Sequence, residues 1–222
     1  MAKRRTLQET RGVLLEAGRE LVEEFDLERG ESTAGALAHI RAADVAARAG
    51  LSKGMVYHLW DDQDAYRREL LIHLSSEIAG LPLASEPVAN ASDPAAYFRD
   101  AGNASFDSLM TDPSWRLFVE LCSYMNDPEV QEPLHDAWIE SAIPAAKALE
   151  QALDDLDRRM IEPLTIDHLV HVTRAIGRGF RLLVGIDPQA YGERGFSWQG
   201  SDGWSLYAIA VHNAVCGLTE PV

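Results

Sequence analysis

At 222 residues, 46% of them hydrophobic, the chain has the size and apolar share of one ordinary globular domain or of a small domain joined to a larger one. No run approaches the ~18 apolar residues of a membrane-spanning helix, the basic start Met1-Ala2-Lys3-Arg4-Arg5 leads into polar Thr6 to Arg11 and not into the core of a signal peptide, and two cysteines, Cys122 and Cys216, exclude a disulfide framework and fit a reducing cytoplasm. The net charge of −15 argues against nucleic acid as a partner until its distribution is considered: residues 1–75 hold 11 Lys and Arg against 13 Asp and Glu, and residues 76–222 hold 9 against 22, so the acidity belongs to the second part.

The first element is a helix from Leu7 to about Glu28, with Leu14, Ala17, Leu21 and Phe25 recurring at helical spacing. Arg29 to His39 reads as a loop. From Ile40 to Leu71 two short helical patterns flank a glycine, the arrangement of a helix-turn-helix. Val45 and Ala46 supply a buried edge, Ala49 is small where two helices cross, and Gly50 can take the positive φ that ends the first helix. Leu51 fills the corner, and Ser52 is placed to cap the second helix through its side chain. Val56 and Trp60, four apart, face the core and leave Lys53, Gly54, Met55, Tyr57 and His58 outward.

The run Ala49-Gly50-Leu51-Ser52-Lys53-Gly54-Met55-Val56-Tyr57-His58-Leu59-Trp60 resembles the DNA-binding motif of the tetracycline-repressor (TetR) family of transcriptional regulators, whose usual form is Ala-Gly-Val-Ser-Lys-Gly-Thr-Leu-Tyr followed by an aromatic residue and a Ser/Asn-Lys-Glu segment. Roughly 35 residues carry the resemblance, which implies an all-α fold: an N-terminal helix-turn-helix domain and a C-terminal helical domain that binds a ligand and dimerises. It implies that Ser52 to Leu59 lies in the major groove. Lys53 then reaches a phosphate or a guanine edge, Gly54 lets the backbone approach the sugar-phosphate chain, and Tyr57 donates to a phosphate. His58 occupies a reading position, Met55 replaces the family's frequent Thr and offers an apolar contact, and Arg41 is a further phosphate candidate. Lys3, Arg4, Arg5 and Arg48 add positive charge at the arm and the turn. The family's Lys after the reading helix is Gln63 here, among Asp61, Asp62 and Asp64, which removes one phosphate clamp. Arg29 to His39 is longer than the family's usual connection.

Asp61 to Asp64 suit the start of the next helix, continued by Leu70, Leu71, Leu74 and Ile78. The proline-containing stretch Gly80 to Pro94 is the expected boundary between domains 1–80 and 81–222. Helical patterns follow at about 95–110, 114–126, 129–160, 165–186 and 204–218, with Pro144 expected to kink or split the third. Within 165–186 one apolar face holds Ile166, Leu169, Val170, Ile176, Phe180 and Leu183. A second holds Val172, Ala175, Gly179, Leu182 and Ile186. Asp167, His171, Arg174, Arg178 and Arg181 form a narrow strip between them. Residues 204–218 are apolar nearly all round. The pair therefore reads as a homodimer interface about a two-fold axis, or as the central core of a monomer; the resemblance favours the dimer.

Trp115, Phe118, Cys122 and Met125 share one helical face, and Trp138 is placed opposite, as a lining for a small-molecule effector or as plain core. Arg174, Arg178 and Arg181 suit an anionic effector or pairing with acids across a dimer. No cofactor or metal is expected: Glu132-Pro133-Leu134-His135 is one Glu-x-x-His tetrapeptide without a second copy, and His168 and His171 diverge on the helical wheel. With no nucleophile elbow or phosphate-binding glycine loop, an enzyme is not expected. The reading is a repressor-like regulator of a pseudo-palindromic double-stranded DNA operator; its rival is a helical ligand-binding or protein-interaction module that no longer reads DNA. The Gly-rich segment Tyr191 to Gly203 carries no assigned role.

Overall fold

The computed structural model describes residues 5–29, 37–75, 79, 94–112 and 114–222. Helix α1 (Leu7–Arg29) opens with a reciprocal cap: the Thr6 amide donates to Glu9 at 2.7 Å and the Glu9 amide to the Thr6 hydroxyl at 3.1 Å. Leu14 and Ala17 are buried as the spacing predicts. The Phe25 side chain, residues 30–36 of the expected loop, Ile78, most of the proline-containing stretch and the basic Lys3 and Arg4 lie outside the described residues. Helices α2 (Ala42–Arg48), α3 (Lys53–Leu59) and α4 (Gln63–His73) complete the helix-turn-helix region. Gly50 takes φ +66° in the turn, where the Leu51 amide reaches back to the Ala46 carbonyl at 2.8 Å. Asp62 caps α4, its side chain accepting from the Ala65 amide at 2.8 Å.

Two compact units account for the chain: residues 1–80 with 113–140, and 81–112 with 141–222. The expected cut at residue 80 therefore misses one exchange. In the first unit, Leu117 and Leu121 of α6 (Trp115–Cys122) and Val130 at the start of α7 (Pro128–Asp155) join the core made by Leu14, Val45, Val56, Tyr66, Leu70 and Leu71. Polar ties reinforce the joint: the Tyr124 hydroxyl donates to Asp64 at 2.8 Å, and Arg68 meets Asp127 at 3.0 Å. Burial, then the Asp64 bond, pushes the Tyr124 phenol up to about 12. α7 runs unbroken through Pro133 and Pro144, contrary to the expected interruption. A proline removes one helical N–H bond, and both Pro144 and Glu140, whose carbonyl loses that partner, are exposed to water.

The second unit packs α5 (Pro94–Thr111), α8 (Ile166–Ile186) and α10 (Leu206–Leu218). The α5–α10 contact is close: a Cβ added to Gly102 would stand 2.6 Å from the Ala208 Cβ and 2.8 Å from its Cα. Strands β1 (Arg158–Met160) and β4 (Thr219–Pro221) pair antiparallel. After the short α9 (Pro188–Tyr191), strands β2 (Arg194–Trp198) and β3 (Ser201–Ser205) form a hairpin, which gives most of the unassigned 191–203 segment a structure. Its turn residues Gln199 and Gly200 have φ 52° and 77°, the positive pair that a two-residue hairpin turn matched to strand twist requires.

α8 departs from its wheel reading. Arg174 and Arg178 are buried, so the middle of the expected polar strip faces inward while Asp167 and His171 stay exposed: Arg174 donates to the Ser141 hydroxyl at 2.8 Å, and Arg178 lies 3.9 Å from Asp112. Arginine's long apolar stem can enter a core when the guanidinium finds acceptors. Leu182 and Ile186 of the second apolar face are 52% and 72% exposed. His168, placed on that face by the wheel, is exposed and caps the helix, its ring Nδ1 accepting from the Thr165 amide at 3.1 Å.

His212 is buried on α10 between the edge-on rings of Phe98 and Trp204 and lies 3.5 Å from the Cys216 sulfur. Burial, then the nearby Arg158 charge, lowers its pKa from the ordinary 6.5. The unfolded chain therefore takes up a proton before the folded one does, and stability falls as pH drops through 6.5. Urea midpoints at pH 7.5 and 5.5 should differ in the wild type and differ less in His212→Gln. An equal pH dependence in the two proteins would refute this assignment.

Candidate nucleic-acid interface

Val56 and Trp60 anchor α3 in the core, at 0% and 4% exposure. Trp60 is held from three sides. Its indole N–H donates to Glu69 at 2.7 Å, its ring meets Tyr66 edge-on at 4.9 Å, and the Arg11 guanidinium lies 5.0 Å over it while also donating to Glu69. Burial raises the Glu69 pKa, but the bonds from Arg11 and Trp60 outweigh it and leave the carboxyl below its ordinary range. With both inward positions fixed, α3 cannot roll about its axis, and Lys53, Gly54, Tyr57 and His58 are exposed as the spacing predicts. The Lys53 ammonium lies 5.5 Å over the Tyr57 ring, so a cation and a phenol hydroxyl are presented side by side.

Two residues of this face differ from expectation. Ser52 holds the cap position with extended backbone, but its hydroxyl makes no capping bond. The Met55 amide takes the Ser52 carbonyl at 2.9 Å instead, and the side chain stays exposed. Met55 is half-buried and packs against the core. It lies beside Leu59 on the helix, and its flexible thioether reaches inward.

The cations also sort differently. Arg48 pairs with Glu20 and Glu24 of α1, which takes it from the expected phosphate set. Gln63, standing where the family has Lys, donates to the Ile40 carbonyl at 2.8 Å, and Arg67 donates to the carbonyls of Ala38 and Ile40. Both ties fix the entry to α2. Of the described lysines and arginines between Arg41 and the end of α4, Arg41 and Lys53 are the ones whose side chains make no hydrogen bond or ion pair among the described residues. Arg41 is exposed at the cap of α2, its carbonyl accepting from Asp44 and Val45.

The effector candidates fall in different places. Trp115 and Phe118 are half-buried and stack on each other at 5.5 Å. Cys122 is exposed because the inward residues of α6 are Leu117 and Leu121, and Met125 is exposed in the turn that follows. Trp138 is half-buried in the first unit, whereas Arg178 is buried in the second. The supporting roles of Arg11 and Glu69 had no sequence signal, since the pair is 58 residues apart.

No family model matches the chain, and no curated protein matches it. Solved structures do. A protein assigned as a transcriptional regulator from Rhodococcus sp. RHA1 superposes with a TM-score of 0.56 at 17% identity, covering 94% of this chain and 95% of its own. A second, assigned to the TetR family of transcriptional regulators and from Rhodococcus sp., gives 0.51 at 16% identity over 95% and 98%. A third of the same assignment, from Mesorhizobium loti MAFF303099, gives 0.51 at 13% identity over 96% of each chain. Identities this low speak for architecture: the chain has the all-α fold of the TetR-family regulators, a helix-turn-helix followed by a helical C-terminal part.

Proposed function

We propose that the chain is a transcriptional regulator, acting as a repressor, whose α3 enters the major groove of a double-stranded operator. The observation that carries this reading is the pose of α3: Val56 and Trp60 are locked inward, while Lys53, Gly54, Tyr57 and His58 are exposed on a helix-turn-helix of matching fold. Arg41, Ser52, Lys53 and Tyr57 serve as phosphate contacts, and His58 with the outer part of Met55 reads bases. Residues 1–80 supply the reading helices, with 113–140 packed in the same unit; the part beyond residue 80 binds an effector and dimerises through 165–186 and 204–218. Exposed Leu182 and Ile186 support the dimer, since water is a poor neighbour for two isoleucine-sized side chains on one face. The stacked Trp115 and Phe118 offer aromatic surface to the effector. An effector that binds better when the two reading heads are wrongly spaced lowers operator affinity by that difference in binding energy.

A gel shift over a salt series, with the promoter beside the protein's own gene, tests the reading. Lys53→Ala should weaken binding about tenfold and flatten the slope of log affinity against log salt by about one. Tyr57→Phe should weaken it several-fold. The capture of Arg48 and Gln63 by the protein itself favours a second reading, a helical ligand-binding or interaction module without DNA. A chain that shifts no duplex at low salt, while still folded and dimeric, would decide for that alternative.

A further inference from the structure

The first unit contains a cavity of about 460 Å³ outside the DNA-reading face. Leu59, Trp60 and Ile72 give it an apolar floor, and its rim is charged. The positive groups of the rim are engaged. Arg11 is bound to Glu69 and stacked on Trp60, and Arg68 reaches Asp127 at 3.0 Å, Asp64 at 3.5 Å and Glu129 at 3.8 Å. Glu69 is engaged too, accepting from Arg11 and from the Trp60 indole. What remains uncommitted is negative: Asp61 is exposed with no ion pair or side-chain hydrogen bond among the described residues, and Glu129 is 80% exposed with only its long contact to Arg68. An anion entering here would have to displace a carboxylate from an arginine. A cation would meet the Asp61 carboxylate and the Glu129 carboxylate, the latter held only by the 3.8 Å contact to Arg68, beside apolar Leu59, Trp60 and Ile72.

We propose that this cavity binds a small organic cation, an ammonium group on a short aromatic or aliphatic body. The ammonium sits between Asp61 and Glu129, and the body lies on Leu59, Trp60 and Ile72. The volume falls within the range of small-molecule sites. Leu59 and Trp60 end α3, so occupancy presses on the element assigned to DNA. That consequence rests on the proposed function; the binding itself does not.

The test uses the full chain with ¹⁵N-labelled indoles, following the Trp60 N–H resonance, assigned by its loss in Trp60→Phe. Phenethylammonium chloride and sodium 3-phenylpropionate, of similar body and opposite charge, are titrated at equal ionic strength. The cation should give a saturable shift and the anion none. Asp61→Asn should weaken the cation about threefold, the scale of a partly exposed ion pair, with the unliganded Trp60 resonance in place as the control for folding. Equal shifts with both probes, no shift with either, or unchanged affinity in a folded Asp61→Asn would each overturn the proposal. Because the readout needs no DNA, a protein that binds the cation but no duplex would separate this site from the regulator reading. Operator affinity measured with and without phenethylammonium then tests the pressure on α3.

Discussion

Trp60→Ala should destabilise the first unit by about 3–5 kcal/mol, the scale of losing a buried aromatic ring. That is a large part of the ~5–15 kcal/mol by which a domain is stable. The ring is 4% exposed, edge-on to Tyr66, and bonded to Glu69. Its removal opens a void and leaves the part-buried Arg11–Glu69 pair without its apolar cover. Urea unfolding followed by circular dichroism should show an early transition in the variant. Trp60→Phe keeps the packing, loses the indole N–H bond, and should cost about 1–2 kcal/mol. A midpoint within error of wild type for Trp60→Ala would show that α3 is not anchored as described.

Asp112→Ala should cost about 3 kcal/mol, because it removes a buried carboxylate beside the buried Arg178 guanidinium. Both side chains are 8% exposed and their contact is 3.9 Å. Burying a charge without its counterion is far more costly than burying neither. The double variant Asp112→Ala/Arg178→Met should therefore be more stable than Asp112→Ala alone. Additive losses in a double-mutant cycle would show that the two groups do not interact.

Helix α3 was legible because its information is local. Val56 and Trp60 are four apart, Gly50 must turn the chain, and both follow from spacing and backbone sterics alone. The all-α class followed in the same way from recurring apolar positions. What was not legible depends on partners distant in sequence. Nothing around Arg48 announces Glu20 and Glu24, and nothing around Gln63 announces the Ile40 carbonyl. The strip on α8 splits, with Arg174 and Arg178 inward and Asp167 and His171 exposed, because a helical wheel shows which residues share a side and not what that side meets. Leu117, Leu121 and Val130 show the same limit: their period gives a helix, but not which of two cores it enters. The hairpin at 194–205 is a different case. Gln199-Gly200 between Phe196, Trp198 and Trp204 is a turn signal in plain view, which the reading of 191–203 as a Gly-rich segment without a role passed over.

The near-contact of Gly102 with Ala208, 106 residues away in sequence, closes position 102 to every side chain. Glycine is already the smallest residue, so a larger side chain at 208 finds no room to be yielded across the contact. In a library randomised at both sites, glycine should be retained at 102 whatever stands at 208, because the residue 208 Cα, 2.8 Å from an added Cβ, stays in place even when 208 is glycine.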